Sequence, residues 1–277
     1  MTIVDVYVEV VVDVYGLRPS PLQSLCMTRT AFTWPAGKRA AVSLSFDDAR
    51  ISQIDAGIPI LDRHNVKATF YLTPSRVPER MAGWQQAVVN GHEMGNHTVS
   101  HPCSGNFIWS RNNALEDYTL DRMEQELLDA NAYIQSELGV TPQSFAYCCG
   151  QKYVGRGKTQ HSFVPLIAKH FIAGRGFRDE DANDPTFVDL AQLYGVDGDS
   201  QPFDKLRFWI DKAAQQGGWL VFAAHDVGDF PRQAMPAEVL NAVCVYCTES
   251  ANGIWIDTVA AIGQYVYNWQ NGNKTAD

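Results

Sequence analysis

No run of about eighteen apolar residues occurs anywhere in the chain, which excludes a membrane-spanning helix of the usual kind. Clusters of lysine and arginine are missing too. With 22 Lys+Arg against 31 Asp+Glu, the formal charge is −9 and the pI is near 5.2. A nucleic-acid partner is therefore not expected, because phosphate binding relies on a basic patch. The six cysteines are too sparse for a disulfide scaffold, and no paired CxxC sets mark a structural zinc site. A single CxxC, Cys244 and Cys247, reads as two buried thiols rather than a redox pair. The first residues lack the basic start and continuous apolar core of a signal peptide, so the chain reads as cytoplasmic by sequence. What is plentiful is core material. Of 277 residues, 45% are hydrophobic and only 19% charged, which excludes a disordered chain.

Two regions differ in texture. Residues 1–33 carry a β-like alternation over Val4–Tyr15 and a turn-rich stretch after it, and they read as an N-terminal extension with a hairpin or edge strand. From Trp34 to Asp277 strands and helices alternate as one catalytic domain. The predicted strands are Ala40–Phe46, Ala68–Leu72, Glu93–His97, Ser144–Tyr147, His170–Ala173, Trp219–His225 and Ile254–Asp257. The predicted helices include Glu79–Asn90, Leu120–Leu138, Phe203–Gln216, Ala237–Ser250 and Val259–Trp269. This alternation argues an α/β fold, a parallel sheet with crossover helices closed or nearly closed into a barrel.

In such a barrel, chemistry sits where strands end. Asp47-Asp48 follow the first strand, and His97 and His101 follow the third. Cys148-Cys149-Gly150 follow the fourth, and His225 ends the apolar WLVFAAH run. Adjacent aspartates on an extended chain point in opposite directions, so one can ligate a metal while the other faces the reacting group. A helix N-cap is the competing role for an aspartate there. His97 and His101 have the spacing of a helical zinc pair, but Pro102 biases His101 away from helix, which places both on a loop. Two imidazoles and a carboxylate make a three-ligand zinc-type site with a position left open. A lone histidine such as His225 is otherwise a hydrogen-bonded core residue, and the acidic and imidazole groups at the other strand ends favour a catalytic role instead.

Ser45-Phe46-Asp47-Asp48-Ala49, His97-Thr98-Val99-Ser100-His101-Pro102 and the strand ending at His225 resemble the motifs of the polysaccharide deacetylases, carbohydrate esterase family 4. The KATFYLTP and GHEMGNHT segments are similar as well, and the likeness covers most of 34–265. The resemblance implies a distorted (β/α) barrel of about seven repeats. It also implies a metal-dependent hydrolase that removes N- or O-acetyl groups from an acetylated carbohydrate. Asp47 matches the general base, and Asp48, His97 and His101 match the metal ligands. His225 matches the general acid. The divalent ion is zinc first, with cobalt, nickel and manganese as alternatives. The oxyanion N–H falls at Cys149, with Tyr147 beside it on the substrate side. Enzymes resembling this chain are often secreted, which stands against the cytoplasmic reading.

Two departures stand out. The family's R-x-P-[YF]-G motif is here Ala146-Tyr147-Cys148-Cys149-Gly150, as in a branch with an AYPxG-like motif. The arginine that orients the base is thus missing, and Arg175 on the next strand is the candidate replacement, against a surface or loop salt bridge. No D-x-x-D-W segment is found to orient the histidine. Cys103 reads as a packing thiol next to a ligand, with redox sensitivity the lesser alternative, and His92 and Glu93 read as structural. Phe107, Trp109 and Tyr153 are candidates for stacking on sugar rings, with loop packing the alternative. Two other functions remain open: hydrolysis of a small non-sugar amide, and an inactive carbohydrate-binding relative. The complete Asp48–His97–His101 set favours the deacetylase. Asp47 and His225 argue against an idle binder, since binding needs neither acid nor base.

Overall fold

A computed structural model describes residues 31–272. The N-terminal alternation and Cys26 lie outside the described residues.

The first strand explains the layout. β1 (Ala40–Asp47) is buried along its whole length. Side chains alternate across a strand, so one set faces each side. Val42, Leu44 and Phe46 join a core shared with the surrounding helices. Ala41 belongs to a different core; Ser43, Ser45 and Asp47 share its face. The serines are satisfied there: Trp219 Nε1 donates to Ser43 Oγ at 3.1 Å, and Ser45 Oγ donates to Phe222 O at 2.7 Å. Asp47 is the last residue of that face, at the strand's C-terminal end.

Around β1 the strands run in parallel: β2 (Thr69–Leu72), β3 (Glu93–Asn96), β4 (Ser144–Ala146) and β5 (Ala173–Arg175) on one side. On the other side is β7 (Trp219–Ala224), preceded by the two-residue β6 (Val196–Asp197). The segment leading into β6 bridges β5 at Arg175 and Leu193, while β6 itself pairs with β7 through Val196 and Phe222. The ring closes there, which makes a distorted seven-stranded parallel barrel. An eighth strand, β8 (Ile254–Ile256), pairs with the start of β1.

Crossover helices cover the outside. α3 (Leu120–Leu138) shows how sequence sets one of them. Thr119 caps its start by accepting from Arg122 N, and Gly139 at φ 72° ends it. Met123, Leu127, Ala130, Ile134 and Leu138 form its buried stripe. The last helix, α7 (Val259–Gly272), packs Val259, Ile262 and Val266 against Ala41, Ala173, Trp219 and Val221. Glu93 accepts from Ser144 Oγ, Thr69 Oγ1 and Ala260 N, tying α7 to three strands. Among the described residues, no helix is long and apolar enough to cross a membrane.

Three expectations need correction. His170–Ala173 is not a strand: His170 ends the helix α4 (Val164–His170), and the strand is Ala173–Arg175. A short apolar run does not separate a helix end from a strand start. Glu79–Asn90 is not one helix, since a 3₁₀ stretch with Pro78 inside it runs over Pro74–Arg80 before α2 (Met81–Val89). β6 was not anticipated, because two residues carry no periodicity.

Phe222 fills the core behind the site and is fully buried. Phe222→Ala is expected to lower stability by about 3–5 kcal/mol, read as a lower urea midpoint. A loss under about 1 kcal/mol would mean that the outer face of β7 is not core.

Candidate active site

The C-terminal ends of β1, β3, β4, β5 and β7 meet around one cleft of about 760 Å³. Its walls include Asp47, Asp48, His97, His101, Cys149 and His225.

Asp47 and Asp48 separate by backbone geometry. Asp48 sits at φ 78° and Ala49 at φ 55°, so the chain turns sharply as it leaves β1. Asp48 N donates to Tyr71 O at 3.0 Å, holding that turn on β2. Asp47 stays inward, 4% exposed, and accepts from Arg175 Nη2. Arg175 is fully buried, which corrects the surface-salt-bridge alternative. It reaches Asp47 from β5, donates to Gly176 O at 2.8 Å, and stacks 5.0 Å from the centre of the Tyr71 ring. A buried guanidinium of this kind demands a carboxylate partner.

The His97–His101 loop is non-helical, as Pro102 implied. Thr98 and His101 have φ 60° and 50°. Asn96 Oδ1 accepts from Thr98 N at 2.8 Å, and Thr98 Oγ1 accepts from His101 N at 3.0 Å. Glu126 on α3 clamps the loop from outside by accepting from Val99 N, Ser100 N and Ser100 Oγ. His97 Nδ1 donates to Ala146 O at 2.9 Å, so its Nε2 is the free nitrogen. Asp48 Oδ1 lies 3.6 Å from Nε2 of both histidines. Burial, then the neighbouring His97, brings the His101 pKa down to about 4, which favours the neutral, ligating imidazole. Burial alone would raise the Asp48 carboxyl, but His97, His101, His225 and Arg50 together hold it below its ordinary range.

These residues fit a divalent ion. Donors about 2.0–2.2 Å from a tetrahedral ion lie about 3.3–3.6 Å apart, and Asp48 meets that spacing to each ring. Among the described residues, the groups whose three donors all lie within 4.8 Å of one another do not include Asp48: they are His97 and His101 with Cys148, and His101 with Cys103 and Cys149. Chemistry disfavours both. Burial pushes the Cys148 thiol far above its usual pKa, and its sulfur lies on the Nδ1 side of His97, at 3.9 Å. Cys103 and Cys149 are joined in a disulfide. This bridge corrects the packing-thiol reading of Cys103. It forms because β3 and β4 are neighbours, so the loops leaving them meet.

His225 stands opposite, 6% exposed. Its Nδ1 donates to Asp199 Oδ2 at 2.6 Å, and its N–H donates to Asp199 Oδ1 at 3.0 Å. Burial pulls its pKa down, but the hydrogen bond to Asp199 and the charges of Asp47, Asp199 and Asp48 outweigh burial and raise it. Asp199, on the loop after β6, is thus the carboxylate that fixes the orientation of His225. Arg50 also escaped the sequence reading. It bridges Asp48 Oδ2 at 2.9 Å to Asp226 Oδ2 at 2.6 Å.

Not every candidate gathers here. Tyr147 is fully buried and its hydroxyl donates to Ala191 O at 2.7 Å, so its side chain points away from the cleft. It shares the outward face of β4 with Phe145. Cys149 lines the cleft at φ 54°. Phe107 and Trp109 stack on each other at 5.4 Å in the cleft wall. Tyr153 lies in a separate cleft of about 410 Å³ with Ser104, Glu116 and Gln151.

The model of the polysaccharide deacetylase family matches residues 35–158. The stretch that carries Asp47, Asp48, His97, His101 and Cys149 thus matches the polysaccharide deacetylase family. Chitin deacetylase 1 of Cryptococcus neoformans is 30% identical over 143 residues, 51% of this chain but 28% of the relative. The chain thus spans little more than a quarter of that relative's length. Among solved structures, a Mycobacterium smegmatis protein assigned to the polysaccharide deacetylases aligns with a TM-score of 0.60 at 15% identity, covering 85% of this chain and 93% of its own. A family 4 acetyl xylan esterase from Clostridium thermocellum, in complex with a cobalt ion, aligns with a TM-score of 0.51 at 21% identity, covering 81% and 91%. These deacetylase-family likenesses establish the distorted barrel. The residues of the cleft carry the chemistry.

The raised His225 pKa has a testable sign. Its stabilising interaction is complete below the unfolded value near 6.5 and is lost as pH rises through the folded value. Asp199→Asn is therefore expected to move the His225 NMR titration midpoint downward. Its stability deficit against wild type should widen as pH falls. An unmoved midpoint would remove Asp199 as the source of the shift.

Proposed function

We propose that this chain is a metal-dependent hydrolase that removes N- or O-acetyl groups from a carbohydrate, with a catalytic domain running from Trp34. The observation carrying this reading is the division of labour between adjacent aspartates. Asp47 is held by a buried arginine, while Asp48 faces two imidazoles.

In this reading Asp48, His97 and His101 hold the ion, zinc before cobalt, nickel or manganese. When bound, such an ion supplies Lewis acidity toward the acetyl carbonyl and lowers the pKa of water. Asp47 accepts the proton of the attacking water. Arg175 holds that carboxylate in place through its hydrogen bond. The Cys149 N–H meets the developing oxyanion, a kind of contact worth about 10²–10³ in rate. His225, kept protonated by Asp199, returns a proton to the departing amine or sugar oxygen through Nε2. The stacked Phe107 and Trp109 offer a face to a sugar ring, which supports a carbohydrate over a small non-sugar amide.

Asp47→Asn is expected to reduce acetate release from acetylated oligosaccharides by about 10²–10⁴, with the bound metal retained. His97→Ala and His101→Ala are expected to lose the ion together with activity, seen by elemental analysis. An Asp47→Asn protein that keeps most of its turnover would remove the base from the scheme. Arg175→Ala is expected to lower kcat with metal content unchanged. Equal activity would leave it a structural arginine. If no acetylated sugar in a broad panel releases acetate, with or without added metal, the deacetylase reading fails.

A further inference from the structure

His101 has two nitrogens with two different neighbourhoods. Nε2 faces Asp48 at 3.6 Å. Nδ1 faces the Cys103 sulfur at 3.7 Å. Donor atoms of His101, Cys103 and Cys149 lie within 4.8 Å of one another. Two of those donors are the halves of the disulfide.

The bridge joins two functional loops. Cys103 follows His101 by two residues, and Cys149 occupies the turn after β4 in the cleft wall. The sulfurs are 46 residues apart in sequence, with the whole of α3 between them. Cys103 is completely buried, whereas Cys149 is partly open to the cleft, so a reductant can attack from that side. Cys148, the adjacent free thiol, is buried and bonded toward Thr98 at 3.6 Å.

We propose that Cys103 and Cys149 form a redox gate on the metal centre: oxidised, the disulfide braces the His101 loop against the Cys149 turn; reduced, the two sulfurs and His101 form a second site for a thiophilic divalent cation. This rests on the reading of His101 as a ligand of the catalytic ion. The chemistry balances with an external dithiol as reductant. Its two S–H groups are oxidised to a disulfide, the Cys103–Cys149 bond is cleaved, and two protein thiols form. A thiophilic cation then takes both sulfurs as thiolates, and their two protons pass to solvent. Soft sulfur with one imidazole suits zinc or cadmium. Capturing His101 Nδ1 there disturbs the presentation of Nε2 to Asp48, so occupancy of the second site opposes catalysis.

The test uses the whole chain with cadmium as probe. Oxidised protein, and protein reduced with a dithiol that is then removed under nitrogen, are titrated with Cd²⁺ while the ultraviolet thiolate-to-metal band is followed. The reduced wild type is expected to show the band and the oxidised form to lack it. Cys103→Ser and Cys149→Ser are each expected to weaken the band at least fivefold in reduced protein, and Cys148→Ser to keep it. A reduced wild type without the band, or a band that survives both Cys103→Ser and Cys149→Ser, overturns the proposal. Acetate release at fixed cadmium is expected to fall at least tenfold on reduction and to recover on reoxidation. Equal rates in the two states would overturn the gate. The optical titration does not depend on activity, so failure to find a deacetylase substrate and failure of the thiolate site give different results.

Discussion

The site depends on a charge buried across the mouth of the barrel. Arg175 leaves β5 and Asp47 leaves β1, strands separated by β2, β3 and β4 on one side and by β6 and β7 on the other. Their contact spans the ring instead of following it. An unpaired ion in such a place costs several kcal/mol, so the two groups are bound to persist together or be lost together. The guanidinium shapes its surroundings in turn. The Tyr71 ring lies beside it, and the Tyr71 hydroxyl is hydrogen-bonded with Ser144 Oγ at 3.1 Å. Gly195 has to lack a side chain, because a Cβ there would collide with Arg175 Cδ and Gly176 O.

From that pair outward, each acid at the rim is matched to a cation or an imidazole. Arg50 serves Asp48 and Asp226, and Asp199 serves His225. Ser52 donates to Asp226 at 2.6 Å, and Gln53 donates to the carbonyls of both Asp47 and His225. Gln53 reaches them from a π-helical turn over Gln53–Gly57, a distortion common where helices serve sites. The segment after β1 is therefore a connector between the ends of β1 and β7, besides being the start of a crossover helix. The arrangement lets several carboxylates crowd one cleft without mutual repulsion deciding their state.

What could be read from sequence follows the range of each interaction. The motif residues are local: Asp47 and His225 sit at the ends of the apolar β1 and β7, and His97 directly follows the short β3. Arg175 was readable as a candidate because a lone arginine between two glycines follows a strand-like segment. Asp199 and Arg50 were not, since His225 lies 26 residues from Asp199 and Asp226, the far end of the Arg50 bridge, lies 176 residues from Arg50, and their own segments have no periodicity. The disulfide was hidden for the same reason: its sulfurs meet only once β3 and β4 pair. Tyr147 is different. The signal was present, because Phe145 and Tyr147 are two apart on a strand and must share a face. Phe145 is plainly core, so Tyr147 is core as well.

The imidazoles show what the barrel contributes beyond bringing residues near. Both His97 and His225 use Nδ1 to bind a neighbouring segment and leave Nε2 free, so the acceptor fixes the tautomer in each case. For His97 the acceptor is the carbonyl of Ala146, the last residue of β4. β4 touches β3 through a single register pair, Asn96 with Phe145, but meets β5 through three. Tyr147 N adds a further bond to Arg175 O. The β4–β5 ladder therefore carries the acceptor that orients His97, the turn that holds Cys149, and the arginine that aims Asp47. A slip of one residue in that ladder would turn Tyr147 inward, move the Ala146 carbonyl off His97 and withdraw Arg175 from Asp47. The outward packing of Phe145 and Tyr147 against Phe163 and Phe171 is what forbids the slip. An apolar cluster with no chemistry of its own thus sets the alignment of the polar groups at the strand ends.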